Sequence, residues 1–207
     1  LDNRIAKGEP NGLENEYYTE KNGIGIMRSG WDFGDETYLG FLYGSKERLS
    51  HEHIDHVKGL GIIARKYGVP IYATRGTIEG ITANKTLGQI DEELYRTVSP
   101  DQVFEINDIS VDPTAIWHDA NDPVCYSMSN DGKKISIATD LGDYDDYIVD
   151  KLKNSDIMVI EANHDVRMLE AGSYPYYLKR RILGSHGHLS NERSGQLIKE
   201  LLNDHIK

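Results

Sequence analysis

Cysteine is almost missing from this chain. Cys125 is the only one among 207 residues, so no disulfide can close within it. A reducing, cytoplasmic setting is the expectation. Long apolar runs are missing too. No stretch approaches the ~20 residues that a membrane-spanning helix needs, so no membrane partner is expected. The first residues, LDNRIAKGEPNG, are polar and contain no apolar signal-peptide core. Positive charge is short: 23 Lys and Arg stand against 34 Asp and Glu, a formal net charge of -11. That argues against coating nucleic acid by charge alone, without settling the choice of substrate. Acidity serves ordinary solubility, and it also fits carboxylates gathered around bound cations. Two divalent ions would bring the balance to about -7, before protons released on binding. No internal repeat, linker or low-complexity tract interrupts the sequence. Hydrophobic content of 38% and aromatic content of 9% suit a folded domain rather than a disordered chain, and one domain over residues 1-207 is expected.

What is present begins weakly and then sharpens. GIGIMRSGW and ETYLGFLYG predict short strands in a first segment of weak periodicity. From His56 onward Val57, Leu60, Ile63, Ala64 and Tyr67 recur every three or four residues. This predicts an amphipathic helix that Gly68 and Pro70 end. PIYAT reads as a strand, and a helix is expected around DEELYRTV. VFEINDISV predicts two strands about Asn107-Asp108. CYSMS and KISIAT flank Asn130-Asp131-Gly132, a hairpin signal. The run Ile157 to Ile160 is apolar on both faces and predicts a central strand. Helices are expected over 165-171 and 176-183. A last helix starts at the N-cap Ser190, with Leu197, Ile198, Leu201 and Leu202 as its apolar face. Strands mixed with helices make an α/β or α+β domain.

The densest chemistry lies in SHEHIDHVKGL, residues 50-60, where His51, His53, Asp55 and His56 fall within six positions. In extended chain, side chains two apart point the same way, so His51 and His53 can reach one ion. Asp55 and His56 follow at the turn into the helix and can serve a second. Imidazole with carboxylate suits zinc or a similar transition metal. The bland alternative is a solvated polar turn. Further ligands for two ions are sought where strands end, because rigid strands position side chains. His118 follows the apolar TAIW, Asp140 follows ISIAT, and His188 precedes the last helix. A carboxylate can bridge two ions; an imidazole cannot.

This order of residues resembles the metallo-β-lactamase fold. SHEHIDHVKGLGIIARKYGVPIYAT, HDANDPVCY, IATDLG, EANHD and GHLSNERSG look like the YycJ/WalJ-type exonucleases of that superfamily. The resemblance covers about residues 50-200 and implies a four-layer αββα sandwich with metals at one edge between two sheets. It implies that His51, His53 and His118 hold a first ion, that Asp55, His56 and His188 hold a second, and that Asp140 bridges them. Two divalent ions, zinc or manganese, are the implied cofactors. Cys125 stands at no ligand position. Residues 1-49 depart from the family pattern and are either divergent or incomplete.

The implied reaction is phosphodiester hydrolysis by a metal-bridging hydroxide, with nucleic acid, DNA first, as the substrate partner. Asp55, Asp140 and His164 are then the catalytic set, with His164 able to give a proton to the leaving oxygen. A helix cap or a surface role is the other reading of His164. Glu161 ends an apolar strand and can orient a ligand histidine, or form a structural ion pair. Backbone N–H groups near Ser190 and Asn191 can receive a phosphate. Arg167, Lys179, Arg180 and Arg181 offer a basic patch, or a solvated helix face. Tyr174, Tyr176 and Tyr177 can stack on bases or pack. His186 can face the metals or solvent, and His205 is expected in solvent. The alternative substrate class is a small ester, thioester or lactone, since fold does not fix function. A binding module with a structural ion is disfavoured by Asp55 and Asp140, because structural zinc sites close with four ligands, often cysteines.

Overall fold

The structure is a computed structural model that describes residues 50-202 and, before them, three strands. Those strands, Glu16–Thr19 (β1), Ile24–Arg28 (β2) and Tyr38–Leu42 (β3), form an antiparallel sheet in chain order. The expectations for GIGIMRSGW and ETYLGFLYG fall on β2 and β3. His205 lies outside the described residues.

The helix expected from His56 exists in two pieces, Ile54–Val57 (α1) and Leu60–Tyr67 (α2). Gly59 stands between them. Gly68 ends α2 in the left-handed conformation, φ 62°, and its N–H donates to the Ala64 carbonyl at 2.8 Å. A glycine adopts that geometry without steric cost. Tyr67 is exposed, so the apolar face is carried by Leu60 and Ala64. Ile71–Thr74 (β4) follows as predicted and leads into Arg75–Ala83 (α3), whose N-cap Thr74 accepts from the Thr77 N–H. The helix expected around DEELYRTV is not formed. Asp91 caps a single 3-10 turn, Glu92–Leu94, and Tyr95–Val98 (β5) then pairs in parallel with β4. An aromatic and two β-branched residues in YRTV favour the extended chain.

A five-stranded sheet follows: Phe104–Ile106 (β6), Ile109–Ala115 (β7), Val124–Asn130 (β8), Lys133–Ala138 (β9) and Ile157–Ile160 (β10). Its order is β10-β9-β8-β7-β6, with β6 to β9 antiparallel and β10 parallel to β9. Both predicted hairpins are present. The central position expected for 157-160 is not: β10 is the edge strand of this sheet, and Ile157 is 45% exposed. Met158 and Ile160 point to the core while the other face of the run is only partly covered. Four apolar residues in a row read as two covered faces, but here one face suffices.

Strand alternation sorts the sheet residues onto two faces. Met128, Ile109 and Val111 are buried on one face, with Tyr126, Ile135 and Ile137 against them. Cys125 and Ala138 lie on the other, under Asp146–Leu152 (α4) and Asn191–Leu201 (α7). Ile148, Leu152, Leu197 and Leu201 close that core. Ile198 and Leu202, expected in the apolar face of α7, are exposed. Val166–Ala171 (α5) and Tyr176–Leu183 (α6) match their expected ranges. The core also fixes the places where chemistry is expected. Val57 follows His56, Leu141 follows Asp140 and Leu189 follows His188, and each of the three is 0 to 1% exposed. Burying one such side chain contributes roughly 1.5–3 kcal/mol, so each neighbouring polar residue is anchored by its successor.

Candidate metal centre

Six of the seven predicted ligands converge. Their ligand atoms group as His51 with His53 and His118, His51 with His56 and Asp140, and His118 with Asp140 and His188, each group within 4.8 Å. His51 lies in extended chain ahead of α1, His118 follows β7, Asp140 follows β9, and His188 precedes α7. Asp140 is turned by a left-handed backbone, φ 58°. That conformation is cheap for Asp, whose short polar side chain tolerates it. Asp55 is the predicted ligand outside these groups. Its side chain is 53% exposed, with Oδ2 at 3.8 Å from His56 Nε2.

The first group shows which nitrogens are free. His51 Nδ1 meets Ser50 Oγ at 2.9 Å, His53 Nε2 meets the Asp119 carbonyl at 3.1 Å, and His118 Nδ1 meets the Gly187 carbonyl at 3.1 Å. The two carbonyls only accept, so those ring nitrogens donate; Ser50 Oγ can accept in the same way. The remaining nitrogens then face one another as lone pairs: His51 Nε2 to His53 Nδ1 at 3.1 Å, and His118 Nε2 to His53 Nδ1 at 3.3 Å. Lone pairs in that arrangement repel unless a cation or proton sits between them. A tetrahedral zinc with bonds of about 2.0–2.1 Å spaces its ligands roughly 3.3–3.4 Å apart. The donor set therefore fits a metal. Burial first, and then the neighbouring His56, press the His51 pKa down to about 2, against the pull of Asp140. Burial lowers His118 as well. Both rings are held neutral, the form that ligates.

The second flank is built on carboxylates. Asp140 Oδ2 lies 3.5 Å from His56 Nε2, and Oδ1 lies 3.7 Å from His188 Nδ1. Burial raises the Asp140 pKa, but the hydrogen bond and charge of His56 with the other rings outweigh it, so it sits well below the usual carboxylate range. His188 Nδ1 donates to Glu161 Oε1 at 2.6 Å, and Glu161 Oε2 accepts from the Leu141 N–H at 2.9 Å. Burial lowers the His188 pKa, and Glu161 and Asp140 raise it further than burial lowers it. With Nδ1 engaged, the ring offers Nε2 to a ligand. The Glu161 geometry is that of a carboxylate orienting a histidine. His56 Nδ1 is buried without a hydrogen-bond partner.

Beside this flank opens a pocket of about 430 Å³, walled by His188, His164, Asp119, Arg181 and Tyr174 among others. His164 Nδ1 is 3.3 Å from Asn163 Oδ1, and its Nε2 is buried without a partner. Burial and the nearby His188 lower its pKa despite Glu161. Asp119 and Arg181 were not singled out together by sequence. The Arg181 guanidinium pairs with the Asp119 carboxylate, Nη2 to Oδ1 at 3.1 Å. Asp119 thus links α6 to the carbonyl that holds His53. Burial pushes the Asp119 carboxyl up, and Arg181 brings it below its ordinary value. Gly187 is required here: a Cβ would meet the carbonyl oxygens of Arg181 and Ile182 at 2.2 Å each.

At the start of α7, where a phosphate seat is expected, two of the groups make local contacts. Ser190 Oγ accepts from the Arg193 N–H at 3.2 Å, and the Asn191 N–H donates to the His164 carbonyl at 2.8 Å. The Asn191 N–H is spent on that local contact. Arg167 and Arg180 are exposed on α5 and α6 outside the pocket wall, and His186 is exposed beside Ser185.

Residues 49–205 match the family described as beta-lactamase superfamily domain. The chain is 36% identical over 159 residues to the exodeoxyribonuclease YycJ of Bacillus anthracis, spanning 77% of this chain and 60% of that protein. It is equally identical to the exodeoxyribonuclease WalJ of Streptococcus pneumoniae, spanning 59% of it. The chain therefore spans about 60% of the length of the curated relatives it matches. In three dimensions it resembles the metallo-β-lactamase fold protein YhfI from Bacillus subtilis, with a TM-score of 0.52 and 20% identity, over 73% of this chain and 58% of that one.

Proposed function

The chain belongs to the beta-lactamase superfamily and has its metallo-β-lactamase fold, and from that footing we propose that it is a metal-dependent phosphodiesterase that digests DNA from its ends. The observation that carries the chemistry is the set of three imidazoles whose outer nitrogens are tied and whose inner nitrogens converge. The choice of phosphodiester leans on the identity to relatives named exodeoxyribonucleases.

In this reading residues 1-207 form one domain. His51, His53 and His118 would hold one divalent ion, zinc or manganese. His56, His188 and, after a turn of its exposed side chain, Asp55 would hold a second, and Asp140 would serve both. When bound, the ions supply positive charge for the phosphoryl oxygens and lower the pKa of an attacking water. The chain's own groups set the stage. Ser50 and the carbonyls of Asp119 and Gly187 fix the ring tautomers, and Glu161 fixes His188. His164, in the pocket wall, is the candidate to give a proton to the leaving oxygen, a role that requires its ring to take up a proton first and turn Nε2 toward the substrate. Arg167 and Arg180 meet backbone phosphates beyond the pocket.

The test is metal-reconstituted protein with end-labelled single- and double-stranded DNA, RNA, and a panel of esters and lactones. Stepwise shortening of DNA from an end is expected. Turnover of esters or lactones with no nucleic-acid cleavage would reverse the reading.

A further inference from the structure

The pair α5 and α6 is unlike the rest of the chain in charge. Residues 166-183 carry four cations, Arg167, Lys179, Arg180 and Arg181, against one acid, Glu170, whereas the whole chain has 23 cations against 34 acids. It is also unlike the rest in what it exposes. Tyr176 and Tyr177, at the start of α6, are the most exposed aromatic side chains among the described residues, at 75% and 74%, and Tyr174 in the loop just before them is 55% exposed. None of the eight residues of α6 is fully buried. A single exposed ring is ordinary; a cluster of rings among cations is not.

This surface is continuous with the metal centre. Tyr174 and Arg181 stand in the pocket wall with His164 and His188, and Tyr176 and Tyr177 begin the helix that leads away from it. The Arg181 charge is already met by Asp119, and Lys179 Nζ donates to the Glu170 carbonyl at 2.7 Å. Arg167 and Arg180 are the cations with no such contact among those described and face solvent.

The geometry points to the α5–α6 surface as the grip for a polynucleotide strand end whose bases are unstacked, either a single strand or the frayed end of a duplex. The cations meet the phosphates and the tyrosine faces take the bases. This rests on the phosphodiesterase reading and names the form of substrate that it takes. A second copy of this chain would bring the same excess of cations to the interface and repel. An apolar ester would use the pocket and leave the outer rings idle.

Rings that stack on bases contribute about fivefold to a hundredfold in affinity each. Binding of a short labelled oligothymidylate is measured on the Asp140→Asn chain, and on the wild-type chain in chelator in case that variant folds poorly. Tyr176→Ala and Tyr177→Ala are expected to weaken binding about fivefold or more, while Tyr176→Phe and Tyr177→Phe retain it. Arg167→Gln combined with Arg180→Gln should flatten the slope of log affinity against log salt by about 1.4, at roughly 0.7 per phosphate contact on a single strand. Unchanged affinity in the alanine variants overturns the proposal. So does equal loss in the phenylalanine variants, or a wild-type dimer that the alanine variants break without altering affinity. Failure of the phosphodiesterase reading shows separately, as no hydrolysis of bis(4-nitrophenyl) phosphate or DNA by the metal-loaded wild type, whatever the binding result.

Discussion

The two flanks of the centre are held by different means. Around His51, His53 and His118, each ring is tied through its outer nitrogen, twice to a main-chain carbonyl. Around His56, Asp140 and His188, the ties are carboxylates, and His56 Nδ1 has no hydrogen-bond partner. Two of the three ties on the first flank are backbone that side-chain replacement cannot remove. The second is ordered by charge, and its order depends on groups that a single substitution can neutralise. Such a site should fill unequally, with the neutral triad taking an ion first.

The hardest blow to that contrast is Asp140→Asn. The amide keeps the shape and tolerates the left-handed backbone, but it loses the charge shared by both flanks. Turnover should fall by several kcal/mol of transition-state stabilisation, on the order of a thousandfold or more, with the circular dichroism spectrum unchanged. Near-normal turnover with full metal content would remove Asp140 from the shared position.

His164→Ala should cost less, about a hundredfold in kcat, with metal content intact. The loss should shrink on a nitrophenyl phosphodiester, whose leaving oxygen needs no proton. Equal loss on good and poor leaving groups rejects proton transfer and leaves His164 a structural task.

Glu161→Gln probes the carboxylate ties directly. His188 loses its charged acceptor, and occupancy of the second ion should weaken about 10–100-fold while the first is kept. Metal titration followed by elemental analysis reads both steps. Equal weakening of the two ions would erase the distinction between the flanks.

Ser50→Ala makes the corresponding cut on the first flank. It removes one neutral hydrogen bond, worth about 0.5–1.5 kcal/mol, while the carbonyl ties of His53 and His118 remain. First-ion affinity should drop only a few-fold to tenfold in the same titration. The smallest effect belongs to His186→Ala, whose ring is exposed. Its activity should match the wild type within error, and a large loss would mean that His186 turns toward the metal side.

Legibility in the sequence followed the density of the signal. Four ligand-type residues within residues 51-56 could be seen in the primary structure, and His118, Asp140 and His188 could be sought at strand ends. Glu161 was legible for the same reason. The ties of the first flank were not. A carbonyl of Asp119 or Gly187 carries no residue-specific mark, and the pairing of Arg181 with Asp119 spans 62 positions. The contacts at the start of α7 were hidden on the same account, since no sequence pattern reveals that the Asn191 N–H is given to His164. The edge position of β10 was hidden because four apolar residues do not state how many faces are covered. In the stretch 91-98 helix formers at the start masked an extended end.

Six non-glycine residues have a left-handed backbone among those described: Asp101, Asn107, Asp122, Asp131, Asp140 and Asn154. All are Asp or Asn, the types that bear this conformation at least cost. Position 140 therefore answers to two independent demands. Backbone shape favours Asp, Asn or Gly there, and the proposed role between two ions asks for a carboxylate. Their overlap is one amino acid. Glutamate, the obvious chemical neighbour, satisfies the second demand and strains the first, so no conservative exchange exists there. Selection for folding by itself would already hold this position to a few residue types, before any catalytic advantage came into play.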